Sequence, residues 1–297
     1  MKYLDLKLRR DLRKNWQQFF SVFLMSLLSV LIFVGLQGAW HGLEKSLDSF
    51  ISSSNVPDIW VQTTNLTDYE VDRIKSLDGV KSVVPETRIT TEIDSKSNSD
   101  KYLILDSFST PSKQIANVTE GAKFSSTVDN GIWINKEYAA SNNLSVGDNL
   151  KITLAGKTAN VKILGFVQSA DRIYFTGSLE YIAPNYNNYA YGYISKNTMD
   201  KLLSTQVPSN LVEIYSSNAD IRDEIEDILG NKLVTYYNQK TLTDVSEATD
   251  RVGQIRNLSY LFSFIFILLA ILAMFTTIRR LIESQTKEIA VIKALGY

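Results

Sequence analysis

Asn257-Leu-Ser-Tyr-Leu-Phe-Ser-Phe-Ile-Phe-Ile-Leu-Leu-Ala-Ile-Leu-Ala-Met-Phe-Thr-Thr-Ile278 carries no charged side chain and runs straight into Arg279-Arg280. As a helix rising 1.5 Å per residue it is long enough to cross a hydrocarbon core of about 30 Å. A second such run, Phe19 to Leu36, lies inside a window from Asn15 to Leu43 that is free of Asp, Glu, Lys and Arg. The pattern predicts two transmembrane helices around one large polar loop.

A cleaved signal peptide is the competing reading of the first run, because Lys7, Arg9, Arg10, Arg13 and Lys14 precede it. Such a segment has an apolar stretch of about 7–15 residues and small residues at the cleavage point. This stretch is longer, and Trp40 and His41 stand where small residues are wanted. A retained anchor is expected.

Basic residues set the orientation. Residues 1–14 hold six Lys/Arg against two Asp, and residues 279–297 hold four against two Glu, a net +6 for the two ends. Residues 44–256 hold 21 basic and 28 acidic residues, a net −7. Both termini are therefore expected in the cytoplasm of a bacterial cell, with the loop outside its plasma membrane. The overall charge of −1 conceals this division.

Leu4, Leu8, Leu12 and Trp16 recur every four residues among basic ones, which predicts an interfacial helix over 1–14. Beyond the first span, Trp40, Leu43, Leu47 and Phe50 continue a 3-4 spacing as far as Ser52-Ser53-Ser54-Asn55. Val245, Ala248, Val252 and Ile255 do the same on the way into the second span. The spacing predicts two helical stalks with an apolar seam, giving segments 15–51 and 241–278.

Between the stalks, residues 56–240 read as a mixed α and β domain. Strands are expected over Asp58–Gln62, Val80–Val84, Tyr102–Leu105, 191–195 and 211–215. Thr67 to Leu77 reads as a helix whose Thr67 and Glu70 make a capping box. A further helix is expected from Asn135 to Asn142, and a hairpin from Leu150–Leu154 and Ala159–Val167 around Ala155-Gly156. Ile221, Ile225, Ile228 and Leu229 mark an amphipathic helix stopped by Gly230-Asn231. The β-rich stretch of about 107–190 reads as an inserted subdomain, so the fold class is an α+β domain between two transmembrane helices.

The chain has one histidine and no cysteine, which excludes a Cys-ligated metal site and a Cys-His nucleophile pair. Asp220, Asp223, Glu224, Glu226 and Asp227 alternate with an apolar helix face, the pattern of solvated side chains rather than of a calcium loop. No Walker-type phosphate loop occurs, so no cofactor and no catalytic residue is expected, and nothing points to nucleic acid. Tyr181, Tyr186, Tyr189, Tyr191 and Tyr193 form a dense aromatic segment. Three of them alternate onto one strand face, either as an external binding surface or as a packed sheet face.

The segment Lys287-Glu288-Ile289-Ala290-Val291-Ile292-Lys293-Ala294-Leu295-Gly296 resembles the first cytoplasmic loop of FtsX-like, MacB-type ABC-transporter permeases. Pro57-Asp58-Ile-Trp-Val with Gly79-Val-Lys-Ser-Val-Val84 resembles the opening of that family's extracytoplasmic domain. The start, Arg10-Asp-Leu-Arg-Lys-Asn-Trp-Gln-Gln-Phe-Phe, is similar to the large Gram-positive members. The resemblance implies a permease part that couples a separate ABC-type ATPase to the external domain, beside a second permease copy or half and membrane lipids. On this resemblance Glu283, Lys287, Glu288, Ile289, Ile292 and Lys293, in a coupling helix over 279–297, would contact the ATPase. The family unit has four spans, so a chain with two is expected to be a fragment. The alternative is a two-span sensor with an external ligand-binding domain.

Overall fold

The computed structural model describes residues 10, 13, 16–94, 100–108, 116–178, 180–218 and 220–294, with the backbone alone at 18, 116, 281, 284, 285, 287–289 and 292. The expected interfacial helix over 1–14 lies outside them apart from Arg10 and Arg13. Two compact units emerge: residues 1–46 with 250–297, and residues 47–249.

The first unit is a helix pair, formed by most of α1 (Trp16–Ser53) and of α6 (Thr243–Ala294). Both helices contain runs apolar and long enough to cross a membrane, and their Phe, Leu, Ile and Val side chains are largely exposed. An apolar surface on that scale needs an apolar solvent. Ser29 Oγ donates to the Phe266 carbonyl at 3.0 Å, Tyr260 lies 6.1 Å from the Trp40 ring, and Arg256 lies 3.6 Å from Glu44, so the helices run antiparallel. Ser259 and Ser263 are buried in the same contact. Small and hydroxyl-bearing residues let helix backbones approach closely where the surroundings are as apolar as the side chains.

Burial divides the residues of the expected stalk seam. Trp40, Val245 and Ala248 are buried, and Leu47, Phe50 and Val252 are half-buried, but Leu43 and Ile255 are exposed. The Glu44–Arg256 ion pair and the Arg256 guanidinium over Trp40, 5.8 Å from its ring, occupy the place where an apolar stripe was expected.

The second unit has two lobes. In the first, β1 (Ile59–Thr63), α2 (Asp68–Lys75) and β2 (Val80–Ile93) are followed much later by β9 (Leu211–Ser216), α5 (Arg222–Leu229) and β10 (Leu233–Asn238). The strands pair antiparallel in the order β10-β1-β9-β2, the arrangement of a split β-α-β motif. Both helices cover one face, where Ile59, Val61, Ile74, Val212, Ile214, Ile225 and Leu229 form the core. Thr67 caps α2 reciprocally with Glu70, whose carboxylate also takes the Lys232 ammonium at 2.8 Å. Burial pushes the Glu70 carboxyl up, but the bonds from Lys232 and Thr67 outweigh it and hold it below the ordinary range.

The described residues between β2 and β9 form the second lobe, where the sequence reading set an inserted subdomain at about 107–190. It contains β3 (Lys101–Phe108), β4 (Ala116–Gly121), β5 (Ile132–Asn135), α3 (Lys136–Ser141), β6 (Asn149–Leu154), β7 (Lys157–Ser169), β8 (Tyr189–Ser195) and α4 (Lys196–Leu203). The pairings β2–β3, β3–β8, β8–β5, β5–β7, β7–β6 and β6–β2 close into a ring. Leu103, Leu105, Ile132, Ile134, Ile152, Val161, Ile163 and Ile194 fill its interior. Closure removes the free sheet edges that an open sheet of this size would expose. The β6–β7 turn places Ala155 and Gly156 at φ of 48° and 76°, the two left-handed positions of a tight hairpin.

The 14-residue β2 joins the lobes, pairing with β9 through Val80–Glu86 and with β3 through Thr87–Ile93. The strand is longer than the Val80–Val84 expected, and Pro85, which gives no ladder donor, lies inside it opposite Val212. The pairing with β3 begins only at Thr87, so on that side Pro85 has no ladder bond to make.

Leu105→Ala removes a fully buried side chain from the ring interior and is expected to lower unfolding free energy by about 2–5 kcal/mol. Ile182→Ala, at an exposed position, should change it by no more than about 0.5 kcal/mol. Denaturant unfolding of the full chain in detergent, followed by circular dichroism, separates the two outcomes.

Candidate functional site

The helix-free face of the first lobe continues onto the outside of the ring, and polar groups collect there. Alternation along β2 puts Val84, Glu86 and Arg88 on this face. Glu213 on β9 lies opposite Val84 on one side and Trp60 of β1 on the other. Asp106 on β3 lies opposite Arg88. The segment 169–175, which leaves the end of β7, supplies Ala170, Asp171 and Arg172.

Asp106, 2% exposed, holds the layer together. Arg88 grips it through both oxygens, Nε to Oδ1 at 2.7 Å and Nη2 to Oδ2 at 2.8 Å, and Arg172 donates to Oδ2 from the other side. Such paired, charge-assisted bonds are the strong members of their class. Burial alone would push the Asp106 carboxyl up, but Arg172 and Arg88 overcome it and hold the carboxyl below its ordinary range. The Arg172 guanidinium also lies over the Tyr191 ring at 5.1 Å, while its Nη1 finds no hydrogen-bond acceptor among the described residues. Tyr193 donates to Ser169 Oγ at 2.8 Å, and that hydroxyl donates to Asp171. Burial, reinforced by the Asp171 charge, keeps Tyr193 protonated well beyond its usual range.

The roots of both long helices meet this layer. Phe50 and Ile51 at the end of α1, and Leu242 just before α6, pack around Val56, Trp60 and Ala170. The Tyr174 amide donates to the Asp244 carbonyl at 2.9 Å, and Val245 and Ala248 are buried on the next turns. One small apolar cluster over a buried ionic layer therefore anchors both helices.

Of the two readings of the tyrosine segment, this packing matches the packed sheet face. Tyr189, Tyr191 and Tyr193 do share one strand face. However, Tyr191 and Tyr193 are buried with Phe108, Trp133, Val167 and Phe175, and Tyr186 and Tyr189 pack against the same cluster. Tyr181 is exposed and meets the Tyr189 ring edge-on at 5.5 Å. Gly177, at φ 81°, lets the chain pass so close to Tyr189 that a Cβ would lie 2.2 Å from its ring. The alternation was legible, but whether the face met protein or water depended on segment 169–177, which carries no regular periodicity.

Among the proposed ATPase contacts, Glu283 and Lys293 are exposed on α6, and Glu283 pairs with Arg279 at 3.0 Å. The side chains of Lys287, Glu288, Ile289 and Ile292 lie outside the described residues. The acids of α5 face solvent, and among the described residues no group of three acids or histidines is arranged to hold a metal ion. Sequence reading missed the ionic layer entirely, because its members come from β2, β3, β9, segment 169–175 and α6, with no shared spacing.

No family model matches the sequence, and no curated protein matches it. Among solved structures, the extracellular domain of the noncanonic ABC-type transporter YknZ from Gram-positive bacteria is similar at 14% identity and a TM-score of 0.37, over 60% of this chain and 99% of that one. The periplasmic region of MacB from Actinobacillus actinomycetemcomitans is similar at 10% identity and a TM-score of 0.38, over 64% and 91%. At such scores neither likeness bears on function.

Asp106→Asn removes the charge that both guanidiniums share and should destabilise the domain by about 3–5 kcal/mol, as for a broken buried ion pair. Glu226→Gln, which cuts only the exposed Arg222–Glu226 pair, should cost less than about 1 kcal/mol. Thermal unfolding of the two variants, read as a difference from the parent chain, checks the contrast.

Proposed function

We propose that this chain is part of an ABC-transporter permease of the FtsX and MacB type, in which a separate ATPase moves an external domain through rigid helices. The carrying observation is α6, 52 residues without interruption. Its first turn is held beside the ionic layer, its middle is the charge-free run Asn257–Ile278, and its end enters the Lys287–Gly296 segment that resembles the family's coupling loop. A helix transmits axial displacement because each turn is braced by hydrogen bonds to the next. Anchoring at the root turns that displacement into motion of the domain instead of bending.

On this reading both ends of the chain face the cytoplasm and residues 56–240 lie outside, which the +6 and −7 charge division supports. Glu283, Lys287, Glu288 and Lys293 offer charged contacts to the ATPase, and Ile289 and Ile292 an apolar one. A second permease copy or half completes the machine. The chain itself hydrolyses no ATP.

Leu242→Asp places a charge in the apolar cluster around Trp60 and is the direct test of the joint. In the assembled transporter, ATPase association and ATP hydrolysis should persist while transport falls at least about tenfold, a loss of ~1.4 kcal/mol in coupling. Reversing Glu283 and Glu288 to Lys should instead weaken association with the ATPase. Full transport in the Leu242→Asp permease, with the domain still folded, would remove the basis for the proposal.

A further inference from the structure

Five carboxylates, Glu86, Asp106, Asp171, Glu213 and Asp244, share the layer with only two cationic groups, Arg88 and Arg172. Both guanidiniums are committed to Asp106, and Arg172 also lies 3.9 Å from Asp171. Glu86, Glu213 and Asp244 make no ion pair among the described residues. Glu213 is 3% exposed, on a strand flanked by Trp60 and Val84, and the charges of Glu86, Asp171 and Asp106 act on it against that of Arg88. Glu86 faces Asp106, Arg88, Asp171, Arg172 and Glu213. Asp244, on the first turn of α6, faces Arg172 and Asp171 from segment 169–175, Arg88 from β2 and Tyr186 from the loop before β8. Tyr215 lies beside Glu213 on the same strand face. Glu213 is buried and Glu86 and Asp244 are half-buried, and none of the three has a guanidinium of its own among the described residues, so ionising all of them beside the Asp106 charge costs free energy that opening the layer would relieve.

We propose that the layer is a proton-operated latch: while Glu86, Glu213 and Asp244 hold protons, the first turns of α6 stay seated against segment 169–175, and proton loss unseats them. The proposal rests on reading this layer as the joint, but its test needs no transport. Burial, with the charges of Asp106 and Asp171, pushes Glu86 up to about 8 from an ordinary 4.5. Burial also pushes Asp244 up to about 7 from 3.8, with Asp171 adding to the effect and Arg172 and Arg88 opposing it. Glu213 moves in the same direction, by burial and the Glu86 charge.

Each of these groups binds its proton more tightly in the seated state than when released. Their contribution is complete below about pH 4, where both states are protonated. It falls as pH rises through the window up to about 8, because the released state has ionised and the seated one has not. Asp106 works in the opposite sense and loses its contribution only in acid. The latch therefore weakens progressively as pH rises from about 4 to about 8.

The chain has no cysteine, so single cysteines report without background. Ala248→Cys sits at a buried position of the α6 root and Thr249→Cys at an exposed one next to it. The ratio of their maleimide labelling rates, measured on the full chain in lipid nanodiscs from pH 5.5 to 8.5, cancels the ordinary titration of the thiol. The expected ratio rises by about tenfold, the change in equilibrium that one pKa unit of linked protonation supplies. In the triple variant Glu86→Gln, Glu213→Gln, Asp244→Asn it should stay within about twofold, since no shifted proton remains to be lost. A flat ratio in the parent, or the same rise in the triple variant, overturns the latch. If the cysteines disturb folding, thermal unfolding of the cysteine-free chain decides: its midpoint must fall across this range in the parent and not in the triple variant. A flat pH response combined with transport loss in Leu242→Asp rejects the latch and leaves the joint standing.

Discussion

The hydrogen bonds that Asp106 accepts from Arg88 and Arg172 are the constraint on which the rest of the external domain depends. Arg88 sits on the strand common to both lobes, Asp106 on the first strand of the ring proper, and Arg172 on the segment that meets the root of α6. A single carboxylate thus ties together the two lobes and the helix leading to the membrane. Desolvating three charges is expensive, and a well-packed apolar cluster of the same volume would often be as stable. What the ionic arrangement supplies is direction: a guanidinium and a carboxylate bond in one geometry, whereas apolar side chains slide.

Around that tie the domain is apolar and conventional in its packing. The ring interior is filled by Leu, Ile and Val on alternate positions, and the first lobe buries Ile59, Val61, Val212 and Ile214 beneath two short helices. The tyrosine and tryptophan cluster outside the ring forms a third layer, and the ionic groups lie at its margin. Charges there are shielded on both sides by aromatic rings, so their mutual interactions are stronger than in water.

Much of this was legible in the chain. The charge-free runs, the Thr67 and Glu70 capping box, the Ala155-Gly156 hairpin and the α5 stripe all rest on local spacing, and the structure places each where the spacing did. The elements that escaped were β4, β5, α4 and β10. Ile132-Trp-Ile-Asn135 is four residues long and buried on both faces, so it shows no alternation. The α4 signal was weaker than it looks in the structure, where Ser195 Oγ accepts the Thr198 amide as a cap at 3.0 Å. Asp106 and Arg172 are 66 residues apart, and no periodicity connects them. Within their apolar runs the two long helices meet through Ser29, Ser259 and Ser263, because small hydroxyl-bearing residues let helix backbones approach closely where the surroundings are as apolar as the side chains.

Among the described residues β1 pairs with β9 and β10, and this also governs the order in which the chain can acquire structure. When Ile59–Thr63 leaves the ribosome, neither of its neighbours exists, and about 150 residues separate it from β9, a loop whose closure entropy must be met before any ladder forms. The ring is different, since its strands all lie between residues 80 and 195. It can close first and hold the distal half of β2 in register, leaving Val80–Glu86 as a template on which β9, then β1, then β10 assemble. The last of these strands is followed within a few residues by α6, so the first lobe becomes complete just as the second membrane helix is being made.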